Sequence, residues 1–582
     1  MFLRRFERGS RGRRRTYWAL VESERTGRGS RQRVVAYLGE LKRSEQSGWA
    51  ELGRKLSGKQ RPQRSLFDPP HYDEPSDDEP VLVRLRDVRL ERLRDFGDVW
   101  MALGLWRLLG LDTLLESLAP AGREEVPWPV VAAILTIARF CRPQSELHIE
   151  STWYRGTALE DLLGVPVDKV HTDRLYVGLD WLLPLKPLVE KHRKERLGAL
   201  FDLEYELLLY DVTSTYFEGQ CRANTLARRG YSRDSRPDCL QVCIGLVVTA
   251  DGIPLGYEVF AGNRNDATTV EEIVAAMEKK YGRAQRIWVM DRGMVSEKNL
   301  AFLRARGGQY LVGTPKAMLR QFERHLTEKG WHEVQEGVEV KLVPGPEGDE
   351  TFLLARSADR REKEKAMHER FEKRIEEGLQ RIEASCRKQR MQPLLVAQRL
   401  GRLLGQNSRA AGLFQTEVQT TADGRALLVW KKVENWRDWA ALSEGCYLLR
   451  SNVTDWTDEE LWKAYIQLTE AEGAFRIHKS DLGLRPIWHQ KEERVQAHIL
   501  VCFLAYVLWK TLGQKCRRAG LGDEPRRVIE ELSEIELVDV VLPTRQGAEI
   551  RRRCITEPTD HQAILLAHLG MQMPKIPLTK GV

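Results

Sequence analysis

Two short apolar runs in this chain each stop on an aspartate, and that pairing constrains the fold more than any other feature. Leu207-Leu208-Leu209-Tyr210 leads into Asp211, and Ile287-Trp288-Val289-Met290 leads into Asp291. Runs of this length and make-up are buried strands. A carboxylate at the end of such a strand is costly unless it is paired or liganded. Adjacent strands of one sheet that both end in Asp gather negative charge at a point, and a hard cation resolves it through oxygen ligands.

The elements around these runs give a mixed α/β order. Leu240 to Thr249 and Pro254 to Phe260 are strands joined by Asp251-Gly252, a hairpin signal. Ala267 to Lys280 is helical, the strand ending at Met290 follows, then a helix over Glu297 to Arg306 and a strand over Gln309 to Gly313. The first three strands form a meander. From about 316 to 450 the order breaks. Residues 331–356 are β-rich, 359–392 form a charged helix of the kind that is usually a solvated face, and strands return at Ala426 to Lys432 and Gly445 to Ser451. At Thr457 the pattern resumes with a long helix and an apolar helix over 494–511. The α/β core therefore divides into 201–315 and 456–515, with an insertion at 316–455 and a C-terminal tail at 516–582.

A chain of 582 residues exceeds one ordinary core. Residues 1–42 hold twelve Lys or Arg against four acids, which is the entire formal excess of +8. Arg13, Arg14 and Arg15 lie in this segment, and a polyanion is its natural partner through counterion release. Thr16 to Val21 and Arg33 to Leu38 suggest a small β element, so 1–56 is a basic N-terminal module. Residues 57–80 combine proline and acid with few apolar residues, and 57–85 is a linker. Over 86–200 the pattern is helical. Phe96, Val99, Trp100, Leu103, Trp106 and Leu109 recur at three- and four-residue steps, and Val130 to Phe140 is a second apolar helix. His171-Thr172-Asp173 offers an N-cap to the stretch ending in the basic Lys191 to Arg196. That last helix either reads DNA in a groove or packs against its neighbours.

The hydrophobic share of 42% excludes a largely disordered chain. Nine cysteines form no CxxC pair, and the Cys239–Cys243 spacing fits alternation along a strand better than zinc. Arg4, Arg5 and Arg8 interrupt any secretory apolar region, and the apolar run Ile499 to Trp509 is too short to span a bilayer. A cytoplasmic chain with no membrane partner is expected.

A third ligand for the aspartates must come from the helix after the insertion. Seven-residue steps drift by only ~20° on a helix, so Tyr465, Glu472 and Lys479 share a face. Glu470 points roughly opposite Glu472, so geometry prefers Glu472, although a plain Glu472–Arg476 surface pair is the competing reading. The segment Tyr465-(2)-Leu468-(3)-Glu472-(6)-Lys479 resembles the Y-(2)-R-(3)-E-(6)-K signature of insertion-sequence transposases of the insertion-sequence-four superfamily. Glu472-Gly473-Ala474-Phe475-Arg476, Lys479-Ser480-Asp481-Leu482 and Leu484-Arg485-Pro486-Ile487 are similar to the same group. So are Tyr210-Asp211-Val212-Thr213, Arg236-Pro237-Asp238 to Gly245, Gly262-Asn263 with Asp266, and Met290-Asp291-Arg292-Gly293. The subgroup it most resembles is the insertion-sequence-sixteen-thirty-four type. The likeness covers about 205–510, and 1–45 more loosely. One departure is that the signature Arg is Leu468.

That resemblance implies an RNase H-like core with a β-rich insertion, in which Asp211, Asp291 and Glu472 are the catalytic, metal-binding triad of a DDE transposase. It implies two Mg²⁺ (or Mn²⁺) ions about 4 Å apart driving in-line phosphodiester chemistry. It implies DNA as partner, both transposon ends and target, and a homodimer that brings two ends together. Tyr465 and Lys479 would contact the end phosphates, with Arg476 or Lys463 replacing the missing Arg. No GxxxxGK[ST] motif is present, so no nucleotide cofactor is expected. Trp456 and Trp462 lie near the catalytic helix and either stack a displaced base or pack in the core. A stand-alone RNase H-like nuclease and a non-catalytic transposase-derived DNA-binding protein remain alternatives.

Overall fold

A computed structural model provides the structure of the chain. It describes residues 2–8, 15–26, 29–39 and 82–574, apart from 121, 123, 204, 284–285, 346–347, 389–390, 422–423, 546 and 548. The stretch 57–80, expected as a linker, lies outside the described residues. Strands β1 (Phe2–Arg8), β2 (Arg15–Thr26) and β3 (Gly29–Gly39) form an antiparallel sheet in the order β1-β2-β3. The two N-terminal runs expected as a β element lie in β2 and β3.

Strand β4 (Arg89–Asp95) is followed by helices α1 (Gly97–Leu108), α2 (Trp128–Cys141), α3 (Thr172–Leu182) and α4 (Lys186–Phe201). Pro129 sits in the first turn of α2, where its missing N–H is no loss. The His171 ring caps α3 by accepting from the Arg174 N–H at 3.3 Å. Helix α4 uses its charges for packing. Arg193 is buried and donates to the carbonyls of Pro254 and Leu255, while buried Glu190 pairs with Lys280 at 2.7 Å. Of the two sequence readings for this basic helix, its central charges follow the packing one, because their partners lie inside the protein.

The core continues with β5 (Leu207–Tyr216), β6 (Gln241–Thr249), β7 (Pro254–Ala261), α5 (Val270–Tyr281), β8 (Ile287–Met290), α6 (Glu297–Arg304) and β9 (Gln309–Gly313). β5, β6 and β7 are an antiparallel meander, and β8 and β9 run parallel to β5. Gly252 turns the β6–β7 hairpin at φ +71°, a left-handed conformation that favours glycine. Next come β10 (His332–Gln335), β11 (Val338–Pro344), β12 (Thr351–Ser357), α7 (Ala358–Lys388), α8 (Pro393–Gln406), β13 (Phe414–Thr420), β14 (Ala426–Lys432) and β15 (Cys446–Ser451).

The insertion differs from a separate β-rich unit. β10, β11, β12 and β15 extend the central sheet beyond β9, giving the order β10-β11-β12-β15-β9-β8-β5-β6-β7. They cover what would otherwise be an unpaired edge on β9, with Ser451 opposite Leu311. The excursion between β12 and β15 is mainly helical, with a β13–β14 hairpin and its own core of Ile375, Leu379, Leu400, Phe414 and Leu428. Apolar runs mark strands but do not say which sheet they join.

After β15 come α9 (Asp458–Ile466), α10 (Leu468–Arg476) and α11 (Glu492–Arg518), so the long helix expected from Thr457 is two helices broken at Gln467. α11 is longer than the apolar run counted from sequence. By length and composition it could cross a membrane, yet 94% of its apolar window is buried in the protein, as in the centre of a core.

Residues beyond 516 are not a trailing tail in the described part. They form α12 (Pro525–Ser533), β16 (Glu536–Pro543), β17 (Glu549–Ile555) and α13 (Asp560–Leu569), and β16 pairs with β4. The reason is a buried ion network. Asp539 accepts from Arg553 Nε at 2.6 Å and from Arg94 at 3.5 Å, and Arg94, with 2% of its surface exposed, also pairs with Asp161. Burial pushes the Arg94 pKa down from its ordinary value, and the Asp161 and Asp539 carboxylates oppose that shift. Asp539→Ala strips both guanidiniums of a carboxylate and is expected to cost roughly 3–5 kcal/mol, read as a lower urea midpoint; an unchanged midpoint would show that the network contributes little.

Candidate active site

Alternation along β5 decides where Asp211 points. Leu208, Tyr210 and Val212 enter the core shared with α5 and α6, whereas Leu209 enters the larger core on the other face. Asp211, two residues on from Leu209, therefore lies on that second face. β8 repeats the pattern, with Trp288 and Met290 on the first side and Ile287 and Val289 on the second. Tyr210 is level with Met290 across the parallel pair, which brings Asp211 next to Asp291. Asp291 directly follows β8, but Asp211 is not at a strand end as expected from sequence, because β5 runs on to Tyr216 in its pairing with β6.

Helix α10 packs against β5 on this second face, burying Leu468, Ala471, Ala474 and Phe475. Glu472 sits beside that apolar stripe and is exposed. Glu470 faces away and pairs with Lys510 at 3.2 Å.

The three acids are electrostatically joined. Burial, together with the like charges of Glu472 and Asp291, pushes the Asp211 carboxyl up to about 7. The Val212 N–H, donating to its Oδ1 at 2.7 Å, and the nearby Arg233 only partly offset this. Asp291 and Glu472 are solvent-exposed, so the cluster opens outward with Asp211 at its floor. A set of carboxylate oxygens gathered in this way is of the kind that hard divalent cations take as ligands.

Tyr465 lies at the edge of the cluster. Burial raises its phenol pKa, and Asp291 adds to the effect. Its Oη lies against Gly313, where a Cβ would come within 2.4 Å of that oxygen and 3.3 Å of the Arg292 nitrogen. Lys479 does not continue the straight-helix face expected from sequence, because residues 477–481 form a π-helical turn that adds a residue to the repeat. Its Nζ pairs at 2.8 Å with Asp234, which is almost wholly buried and also binds Arg485. Leu468, at the signature Arg position, is a core residue with 7% exposure. Burying it contributes roughly 2 kcal/mol, and a guanidinium there would have to leave the core to reach solvent. Of the suggested replacements, Arg476 is exposed and Lys463 pairs with Glu459 at 2.6 Å. Trp462 is core, with Nε1 donating to Tyr447 Oη at 2.8 Å, and Trp456 packs against the same core. Arg13 and Arg14 lie outside the described residues; Arg15 opens β2.

Several charged neighbours were not singled out from sequence. Arg233 holds both oxygens of Asp266 at 2.5 Å and, with Asp234, comes from the long loop between β5 and β6. The loop's density of Arg and Asp was the available signal, but only the fold shows that it curls over β5. A recess of about 210 Å³ beside Asp291 is lined by Arg292, Lys316, Arg360 and Tyr465. It continues into a groove of about 740 Å³ that adds Arg320, Lys363 and Arg409, against one acid, Glu364. Glu364 partly neutralises this wall by pairing with Lys316 at 2.6 Å and Arg360 at 3.1 Å.

The family model described as transposase DDE domain matches residues 202–508, and that of the IS1634 family transposase N-terminal domain matches residues 3–68. No curated protein matches the chain. Among solved structures, a cryo-EM structure of a piggyBac transposase synaptic complex with hairpin DNA is similar at 9% identity and a TM-score of 0.34. The match covers 77% of this chain and 82% of that one.

Two outcomes test this geometry. The native Asp211 pKa lies above its unfolded value, so its favourable contribution is fully present below about pH 4 and is lost as pH rises through about 7. In metal-free buffer, Asp211→Asn should therefore raise the melting temperature at pH 8 and leave it nearly unchanged at pH 4; equal shifts at both would refute the burial of this charge. Gly313→Ala should destabilise by roughly 1–3 kcal/mol through overpacking against Tyr465, and an unaltered unfolding midpoint would mean that the phenol moves aside freely.

Proposed function

The chain belongs to the DDE transposase family, and we propose that Asp211, Asp291 and Glu472 are the metal-holding catalytic acids of an RNase H-like core that cuts the terminal inverted repeats of an insertion sequence and joins them to target DNA. The observation that carries this is positional: Asp211 on β5 and Asp291 just after the parallel β8 lie on the face of the sheet against which α10, the helix of Glu472, packs. The fold assignment draws support from an antiparallel meander, β5 to β7, followed through helices by two parallel strands on the other side of β5.

Two divalent ions, Mg²⁺ or Mn²⁺, when bound would supply Lewis acidity to the attacking and leaving oxygens of an in-line displacement. Asp211 must lose its proton to act as a ligand, and the positive charge of Arg233 favours that loss. Arg292, adjacent to Asp291, places a guanidinium where a phosphate next to the cut would lie. The groove beyond it, with Lys316, Arg320, Arg360, Lys363 and Arg409, is suited to a phosphate backbone, so affinity should fall steeply with salt. Tyr465 and Arg476 flank the acids as candidate end contacts. Lys479 serves first as partner of Asp234 and contacts DNA only if that pair opens. Arg13, Arg14 and Arg15 belong to the basic module, which would add sequence-independent attraction. Two copies would join the two ends, acting on DNA in the cytoplasm.

The test is cleavage and strand transfer on a labelled duplex carrying the flanking repeats, with and without Mg²⁺. Glu472→Ala is expected to reduce both reactions to the metal-free background while gel-shift binding persists; retained cleavage would sink the assignment. Nicking without joining would favour a stand-alone nuclease, and binding without metal-dependent nicking a non-catalytic relative.

A further inference from the structure

Behind the acid cluster, on the far side of the segment that follows α10, lies a second group of metal-ligating side chains. Glu146 opens a short helix between α2 and α3, His489 lies in the loop leading to α11, and His498 is on α11. One donor atom from each lies within 4.8 Å of the others. His489 Nε2 is 3.3 Å from Glu146 Oε1, and the two imidazole rings are 5.3 Å apart at 56°, converging rather than stacked. One turn along α11, Cys502 Sγ stands 3.7 Å from His498 Nε2. Metal–ligand bonds of about 2.0–2.3 Å arranged tetrahedrally give ligand–ligand edges of about 3.3–3.7 Å, which the Glu146–His489 pair matches; Cys502 approaches His498 but is not within reach of all three donors.

The surroundings point the same way. Glu146 and His498 are 5% and 6% exposed, and the side chain of His489 is 9% exposed. A buried carboxylate needs a positive partner. The backbone of Leu484 hydrogen-bonds the His498 ring, the arrangement by which metal-bound imidazoles are oriented. Imidazole donors are softer than the all-oxygen acid cluster and select a transition ion over Mg²⁺.

We propose that Glu146, His489 and His498 form a buried structural site for Zn²⁺ or a similar divalent transition ion, with a fourth position left to a non-protein ligand. The site ties the helical region to α11 and to the segment from Asp481 to Lys491. That segment carries Arg485, which pairs with the same Asp234 that holds Lys479. The ion would thus fix the loop next to the acid cluster without taking part in its chemistry.

The full-length chain carrying Asp211→Asn and Glu472→Gln, which disables the acid cluster, should retain about one equivalent of Zn²⁺ per chain after dialysis against a weak chelator, measured by elemental mass spectrometry. Co²⁺ in its place should give the visible absorption of a tetrahedral centre. His498→Gln should lose the metal. Because that variant could fail to fold, the wild-type chain is decisive: a folded wild type that holds neither Zn²⁺ nor tetrahedral Co²⁺ overturns the site, leaving a hydrogen-bonded Glu146–His489 pair.

Discussion

The candidate site depends on the side-chain alternation of β5. Tyr210 is fully buried, and its phenol is hydrogen-bonded to Thr269 at 2.7 Å in the core beneath the sheet. That bond fixes the register, because a slip of one residue would send Tyr210 upward and force Asp211 into the apolar layer with Leu208 and Val212. The carboxylate is thus positioned by apolar neighbours that never touch it. β8 applies the same rule through Trp288 and Met290, so two independent strands deliver acids to one face.

α10 completes the arrangement under a different constraint. Its buried stripe holds it against β5, and Leu468 belongs to that stripe. An apolar residue at the start of the helix strengthens docking and withdraws a cation from the acid cluster. Positive charge is supplied instead from the flanks, by Arg233 in the β5–β6 loop and by Arg292 and Lys316 beside the recess. Docking and phosphate contact are thereby assigned to different residues.

Much of this was legible in the sequence because period and length carry it. The strand that carries Asp211 (though not its end, which lies at Tyr216), the strand that stops before Asp291, the Asp251-Gly252 hairpin and the separation of Glu472 from Glu470 by helical phase all depend on local geometry. What was not legible depends on long-range pairing. The strands of residues 331–356 read correctly as strands, but nothing local says that they join β9 through β15. Likewise β16 carries no mark that its partner is β4, more than four hundred residues earlier. The π turn at 477–481, which interrupts the seven-residue count before Lys479, has no composition signature. The Glu146, His489 and His498 group escaped for the same reason as β16: its members come from three separate segments.

A cluster of three acids must resolve its own repulsion before any ligand arrives. Here Asp211, the least exposed of the three, does so by holding a proton up to about pH 7. The proton thus stands in for a cation, and the two compete for the same oxygens. Removing the like charges would lower the cost of an ionised Asp211 and, with it, the free energy released when a cation enters. Burial is the larger cause of the raised carboxyl and the like charges of Glu472 and Asp291 the smaller, and the apolar register of β5 keeps Asp211 from turning away from either.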